Sequence, residues 1–333
     1  MKAGVLRGVG EPVRYEEVPK PDAEPGWAIV KLEYAALNHR DVWIRKGQYA
    51  GLKFPIIPGS DGSGTVESGE GEGIDAWIGK PAIIDAALGW GSREAAQDLT
   101  GFSILGLPMD GTFAEYVKVP IENLAERPDH LDAKSASALP LAGLTAYRAL
   151  FSRGKLEAAQ RVLITGAGGG VAAFSVEMAV AAGAEAWVSS SSKAKIETAV
   201  GLGAKGGANY REEGWSKDLK GRAGEFDLII DGAGGADYGN LLDLARPGGT
   251  IVSYGATTGN VPSLELRRLF WKQLNLCGST MGSPRDFQAM TEFVGRHRIV
   301  PHVDREFSLE QANDALDWME QSQQMGKIVL RIG

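Results

Sequence analysis

The chain has 333 residues, which at roughly 100–200 residues per domain favours two domains. Its formal charge of −7, from 35 basic and 42 acidic residues, argues against a basic nucleic-acid surface. A single cysteine, Cys277, excludes an internal disulfide and a cysteine-rich metal site. No signal-like apolar core and no run of about 18 apolar residues is present, so neither secretion nor a membrane span is expected and a cytoplasmic protein is. The 45 glycines sit beside apolar runs, which points to tight turns and close backbone approaches rather than disorder.

The first third reads as β structure. Apolar residues alternate over 28–35 and 112–119, with Gly/Pro clusters at 21–26, 55–64 and 69–73. A short helix is expected over 39–46, and 88–110 reads as irregular. Near 124–128 the character changes. Residues 134–151 carry helical spacing, and the β-branched run 161–165 leads through a glycine cluster into an Ala-rich helix over 171–182. Strand-like runs at 185–189, 226–231, 249–254 and 275–279 then alternate with helix-like runs at 193–202, 238–245 and 264–271. That rhythm predicts an α/β fold with a doubly wound parallel sheet. Two more helices, over 284–296 and 309–321, and a strand over 327–332 close the chain. The strand at 275–279 is expected at a sheet edge, with Cys277 as a buried, inert thiol.

The strongest local signal is Val162-Leu163-Ile164-Thr165-Gly166-Ala167-Gly168-Gly169-Gly170-Val171-Ala172. A buried strand ends in a glycine turn that opens directly into a helix, as a dinucleotide pyrophosphate requires: close backbone approach, free N–H groups and a positive dipole end. The register with small residues at Ala167, Gly169 and Ala172 suits close helix–strand packing better than one starting at Gly166. NAD-binding sites of this kind carry Asp or Glu at the end of the second strand. Here that position reads Val188-Ser189-Ser190-Ser191-Ser192-Lys193. Hydroxyls and an ammonium suit a 2′-phosphate, so NADP(H) is the expected cofactor, although Ser192 also reads as a helix cap.

With these residues in view, the chain resembles the medium-chain dehydrogenase/reductase superfamily, in its zinc-less quinone oxidoreductase-like branch. The resemblance rests on Met1-Lys2-Ala3, Ala36-Leu37-Asn38-His39-Arg40-Asp41, Pro58-Gly59-Ser60-Asp61-Gly62-Ser63-Gly64, Gly111-Thr112-Phe113-Ala114-Glu115-Tyr116, Leu144-Thr145-Ala146-Tyr147, the glycine cluster, Gly203-Ala204 with Asn209-Tyr210, and Gly326-Lys327-Ile328-Val329-Leu330. It implies a GroES-like β-rich catalytic domain from residues 1–124 and 283–333, a Rossmann NADP(H)-binding domain over 125–282, and an active site in a cleft. Relatives that hold catalytic zinc use Cys, His and a carboxylate near these motifs. Here the Cys position looks like Asn38 and the Gly-His-Glu position reads Gly59-Ser60-Asp61, so no metal site is expected. The lobe for structural zinc would fall within 88–110, which has no cysteine.

The resemblance places Asn38 and Asp41 near the nicotinamide ribose and ring, and Thr145 at the nicotinamide end. Gly168, Gly169, Gly170 and Val171 would hold the pyrophosphate, and Ser190, Lys193 and Tyr210 the 2′-phosphate. Gly255 and Ala256 would border the amide, and Lys327 could reach the cofactor. Tyr49, with Asn38, is the catalytic candidate: its hydroxyl could donate to the oxygen being reduced. Trp43 and Arg45 read as structural. Without a Lewis acid an activated alkene or quinone is an easier hydride acceptor than an alcohol is a donor. The expected activity is therefore NADPH-dependent reduction of a quinone or α,β-unsaturated carbonyl. An alcohol dehydrogenase, a reductase of enoyl thioesters and a non-catalytic NADPH-binding sensor remain as alternatives. The expected partners are a small electrophilic substrate and a second copy of the chain, paired through the strand at 275–279, with no nucleic acid and no membrane.

Overall fold

A computed structural model describes all 333 residues. The chain divides into two compact units, one built from Met1–Ala142 and Ser283–Gly333, the other from Gly143–Gly282.

The chain opens with an antiparallel hairpin, β1 (Lys2–Val5) on β2 (Arg14–Glu17). The long β3 (Trp27–Ala36) is the spine of the first unit, burying Ala28, Ile29, Val30 and Leu32 at its middle. After Asn38 the chain turns into α1 (His39–Arg45), where the Asp41 carboxylate accepts from the Asn38 N–H at 2.8 Å and satisfies one free donor of the helix start. Next comes β4 (Asp61–Glu70), antiparallel to β3. Its sequence, rich in Gly and Ser, reads as turns rather than strand. The glycines are there because the strands come very close: a Cβ on Gly64 would lie 2.0 Å from the Lys31 carbonyl oxygen. β5 (Pro81–Ile84), the short ribbon of β6 (Ala87–Leu88) and β7 (Ser103–Ile104), β8 (Tyr116–Pro120), β9 (Leu124–Glu126) and α2 (Ala133–Ser137) complete this stretch.

The single helix expected over 134–151 is three pieces. α2 stops before Ala138, α3 (Pro140–Tyr147) starts afresh at a proline, and a π-helical turn spans Arg148–Arg153. Proline suits a first helical turn and breaks an interior one, so Pro140 sets the restart. The first unit ends within α3, at Ala142. Residues 125–142 pack with the β unit rather than with the α/β unit to which they were assigned. Leu141 N–H donates to the Asp61 carboxylate at 2.8 Å.

The second unit follows the expected alternation: β10 (Arg161–Ile164), α4 (Gly170–Ala181), β11 (Glu185–Ser190), α5 (Lys193–Gly201), β12 (Gly206–Asn209), α6 (Trp215–Ala223), β13 (Phe226–Asp231), α7 (Tyr238–Leu244), β14 (Ala245–Ser253), α8 (Leu266–Trp271) and β15 (Asn275–Gly278). The β12 and α6 pair went unread, because Gly206-Gly207 carries almost no strand signal. The sheet is six-stranded and parallel, in the order β12-β11-β10-β13-β14-β15. The order reverses between β10 and β13, and ligands of such sheets bind at the strand carboxyl ends beside that switch point. Cys277 lies on the exposed edge strand β15 and is only half-buried, because just one side of that strand is covered. The expectation of a buried thiol is corrected accordingly.

The chain then returns to the first unit as α9 (Pro284–His297), β16 (Val303–Ser308), a 3-10 turn and α10 (Ala312–Glu320), and β17 (Lys327–Arg331). β17 pairs antiparallel with β3, placing Val329 opposite Ala36, and closes the order β16-β17-β3-β4-β5-β9, with β8 also on β3. That register brings Lys327 to the start of α1. No helix is long and apolar enough to cross a membrane.

Candidate active site

In the first unit, polar side chains from segments far apart in sequence meet in the interior. The Lys327 ammonium, 3 % exposed, donates to the Leu37 carbonyl at 2.8 Å, to Asn38 Oδ1 at 2.8 Å and to Asp61 Oδ2 at 2.9 Å. Asn38 Nδ2 donates to the same Asp61 oxygen at 2.9 Å, while Asp61 Oδ1 takes the Leu141 N–H. Lys327 is thereby given three acceptors, and Asp61 has both oxygens occupied. Such a buried ion pair is tolerable only when its remaining hydrogen bonds are made, as they are here.

Beside this pair lies a second cation. Arg40 Nη1 donates to Ser60 Oγ at 2.7 Å and to the Leu105 carbonyl at 2.8 Å, and its Nε reaches Tyr49 Oη at 3.3 Å. The guanidinium also lies over the Tyr49 ring, 5.0 Å from its centroid. Asp41 is buried beneath. Desolvation pushes its carboxyl up to about 6, although Arg40, the Asn38 N–H and Lys327 all pull the other way.

This donor set bears on zinc. The expected Cys and His positions hold an amide and a hydroxyl, each already bonded to a cation or a carboxylate. No three His, Cys, Asp or Glu side chains gather anywhere. A Zn²⁺ ion would face a guanidinium and an ammonium and find no thiolate or imidazole, so the residues do not fit it. His39 stacks edge-on against Trp43 at 4.8 Å, and burial lowers its pKa. The 88–110 lobe is held instead by the edge-to-face pair Trp90–Phe102 at 5.6 Å and the Trp90 indole N–H on the Arg93 carbonyl. Arg45 pairs with Asp317 and Glu320, both at 2.7 Å, in keeping with a structural role.

The second unit offers a different kind of site. The glycine turn leaves β10 with Ala167 N–H on the Ser189 carbonyl at 3.0 Å, and α4 begins at Gly170 with Gly169 as its N-cap. No side chain caps the helix, so its first N–H groups are available to an anion. Ala167 and Ala172 are both buried, as the chosen register requires. Next along the sheet, β11 ends at the buried Ser189 and Ser190, and Tyr210 N–H donates to the Ser190 carbonyl at 3.0 Å. Ser192 caps α5, accepting from Lys195 N–H at 3.4 Å. Gly255 and Ala256 lie on the exposed loop after β14, which is stitched to the loop after β13 through Thr257 N–H on the Gly232 carbonyl at 3.2 Å. Asp231, unremarked in the sequence, braces this end: it takes Thr165 Oγ1 at 2.7 Å and Gly234 N–H at 2.9 Å.

Lys193 was expected at the 2′-phosphate, but its side chain is 87 % exposed and directed along α5 to Glu197 at 3.9 Å. The lysine that reaches the glycine turn is Lys195. A Cβ on Gly168 would lie 2.6 Å from its Nζ, so the ammonium rests on the Gly168 backbone. Two residues further into α5 turns the side chain by about 200° at 3.6 residues per turn, which distinguishes the two lysines and cannot be read from composition. Thr145 is buried within α3, and Val171 and Gly168–Gly170 lie at the opening of α4. Asn38, Asp41, Tyr49 and Lys327 share one cluster in the first unit. The free helix start, the serine hydroxyls and Lys195 fit a phosphate-bearing nucleotide.

Together, a parallel sheet with a glycine turn at its switch point and a β unit built from both chain ends define an oxidoreductase that uses a pyridine nucleotide. Family models named "Alcohol dehydrogenase GroES-like domain" and "Zinc-binding dehydrogenase" match residues 24–129 and 170–296. The chain belongs to the medium-chain dehydrogenase/reductase superfamily. It is 36 % identical to the zinc-type alcohol dehydrogenase-like protein YogA of Leptosphaeria maculans, over 96 % of this chain and 95 % of that one. It is 28 % identical to an acryloyl-coenzyme A reductase of Sulfurisphaera tokodaii, over 99 % of this chain and 100 % of the relative. A crystal structure described as an NAD-dependent alcohol dehydrogenase superposes with a TM-score of 0.92 at 32 % identity, covering 100 % of each chain.

Proposed function

We propose that this chain is a zinc-independent, NADPH-dependent reductase of a quinone or an α,β-unsaturated carbonyl, of the quinone oxidoreductase-like branch. The observation that carries this reading is the cluster of Asn38, Arg40, Ser60, Asp61 and Lys327, in which two fixed cations stand among the residues that replace metal ligands. Preference for NADPH rests on the second sheet strand, which ends in Ser189 and Ser190 with no carboxylate, and on Lys195 beside it.

When bound, NADPH supplies a hydride. Reduction of a conjugated C=C–C=O group takes up that hydride at the β-carbon and moves an electron pair onto oxygen, and a proton completes the product. Conjugation spreads the charge, so the oxygen needs hydrogen-bond donors rather than a metal. Tyr49 is the donor offered by the first unit, with Arg40 behind it. Asn38 holds Lys327 and Asp61 in place. The backbone at Gly168–Gly170 and the start of α4 bind the pyrophosphate, and Ser190, Tyr210 and Lys195 surround the extra phosphate, with Lys193 adding only an outer positive charge.

A thioester variant of the substrate has one specific support, the acryloyl-coenzyme A reductase relative. Exposed Leu266, Phe270 and Trp271 on α8 and the open edge of β15 support a homodimer paired through this strand, and a monomeric mass in solution would refute that. The function itself is tested by NADPH oxidation across quinones, enals, enones and enoyl thioesters, with NADH in parallel. Turnover with conjugated acceptors and a preference for NADPH is expected. Nucleotide binding without oxidation by any acceptor would make the protein a sensor instead.

A further inference from the structure

Arg40 is a buried cation that forms no salt bridge, although the buried Asp41 lies close enough to feel its charge. Three of its five N–H groups are used: both on Nη1, by Ser60 Oγ and the Leu105 carbonyl, and the one on Nε, by Tyr49 Oη. Nη2 is buried and has no acceptor. Asp61, the other carboxylate in the cluster, is committed to Lys327, Asn38 and Leu141. Structural economy does not explain this arrangement. A guanidinium 7 % exposed, hydrogen-bonded only to neutral oxygens, is costly to bury, and an apolar side chain of similar volume would leave the Ser60 Oγ bond to the Leu105 carbonyl, 2.8 Å, intact.

The direction of one hydrogen bond shows what the cation does. Arginine has donors only, so in the Arg40–Tyr49 pair the phenol oxygen must accept. The phenol hydrogen is then turned away from Arg40 and free to be given to another acceptor. A donor bond from a charged group also polarises the phenol and strengthens the bond it makes in turn. We infer that Arg40 is a positioning residue that acts through Tyr49: the buried guanidinium fixes the Tyr49 hydroxyl as a hydrogen-bond donor to a substrate oxygen that becomes negative as hydride arrives. The inference rests on the reductase reading and deepens it, since it restricts the substrate to compounds whose reducible group carries a carbonyl oxygen.

The test uses the full chain, NADPH and 2-cyclohexenone, with Arg40→Met, Arg40→Lys, Tyr49→Phe and the double variant Arg40→Met/Tyr49→Phe. Each single loss is expected to lower kcat by about 10²-fold, the low end for a positioned proton or hydrogen-bond donor. The double variant is expected to be no slower than Tyr49→Phe alone, because on this inference Arg40 acts through Tyr49 and not through its own Nη2. Arg40→Lys, which keeps the charge and loses the fork, is expected to fall between. NADPH affinity and the melting temperature of Arg40→Met stay at wild-type values or above. Additive losses, or an Arg40→Met enzyme with wild-type kcat, overturn the inference, as does a fall in melting temperature that accounts for the lost activity. If the wild type reduces no conjugated carbonyl, the functional reading fails and the inference is read instead from benzoate binding to the NADP⁺ complex. Loss of that binding in Arg40→Met and in Tyr49→Phe, with no further loss in the double, upholds it. Equal binding by all four variants, or none by the wild type, refutes it.

Discussion

The polar cluster around Lys327 and the glycine turn before α4 solve opposite problems. The cluster is made of side chains at 38, 40, 41, 60, 61 and 327 with backbone groups of 37, 105 and 141, sealed from water and nearly saturated with its own hydrogen bonds. The turn is backbone from a single stretch, with its donors left open because no side chain caps the helix. The first holds charge in a fixed place at the expense of stability if any partner is lost. The second leaves donors open to charge that arrives from outside. The proposed function uses both, and they are expected to fail in different ways when altered.

The largest expected effect breaks the sealed side. Lys327→Met leaves the buried Asp61 carboxyl without its bonded cation. Removing one member of a buried pair costs about 3–5 kcal/mol, so chemical denaturation should show a loss in that range, with Asp61→Asn recovering part of it in the Lys327→Met background. A loss below about 1 kcal/mol, typical of an exposed pair, would mean that the pair is not sealed. On the open side the effect should fall on binding and leave the fold alone. Lys195→Ala should weaken NADPH by about tenfold, roughly 1.4 kcal/mol, with NADH affected less and the melting temperature unmoved. Lys193→Ala should change affinity by less than about twofold, the scale of an exposed charge. The reverse ranking of these two variants would return the phosphate to Lys193.

A smaller effect sharpens the cost of burying charge in the second unit. Glu177 on α4 has a carboxyl oxygen with no partner, and burial pushes its pKa up to about 8. Its folded value exceeds its unfolded one, so the folded state holds a proton that the unfolded chain releases. The resulting loss of stability therefore grows as pH rises from about 4.5 towards about 8, and is complete above that. Glu177→Gln should raise the melting temperature at pH 9 and change it little at pH 5. Equal shifts at both pH values would show that the carboxylate is solvated. Asp85 and Asp41, pushed to about 7 and about 6 by burial, add the same sign in narrower windows.

The contrast also explains what could be read from the chain. The glycine turn, its helix and the alternation after it were legible because each is local: strand, turn and helix follow one another within 161–181. The sheet edge at β15 was legible as the last apolar run of the alternation, and the return of the chain's end to the first unit was implied by the family resemblance, but the pairing of β17 with β3 was not read. Strand β4 was hidden because its glycines are fixed by the Lys31 backbone across the sheet, which no periodicity records. Tyr49, Asn38 and Lys327 could be named as candidates. That Lys327 meets Asp61 across 266 residues, or that Arg40 reaches Leu105 across 65, could not. Arg40 was visible only as one basic residue in a motif, since its partners Ser60 and Leu105 lie far from it in sequence. The choice of Lys195 over Lys193 depended on helix phase, for which the sequence offers two equivalent lysines.

The central claim is that fixed side-chain cations, rather than a metal, serve the reaction. It is tested most directly by measuring kcat/KM for NADPH-driven reduction of 2-cyclohexenone before and after exhaustive treatment with 1,10-phenanthroline, alongside metal analysis of the same sample. The expected result is unchanged turnover with zinc far below one per chain. Loss of activity on chelation, restored by one equivalent of zinc, would contradict it.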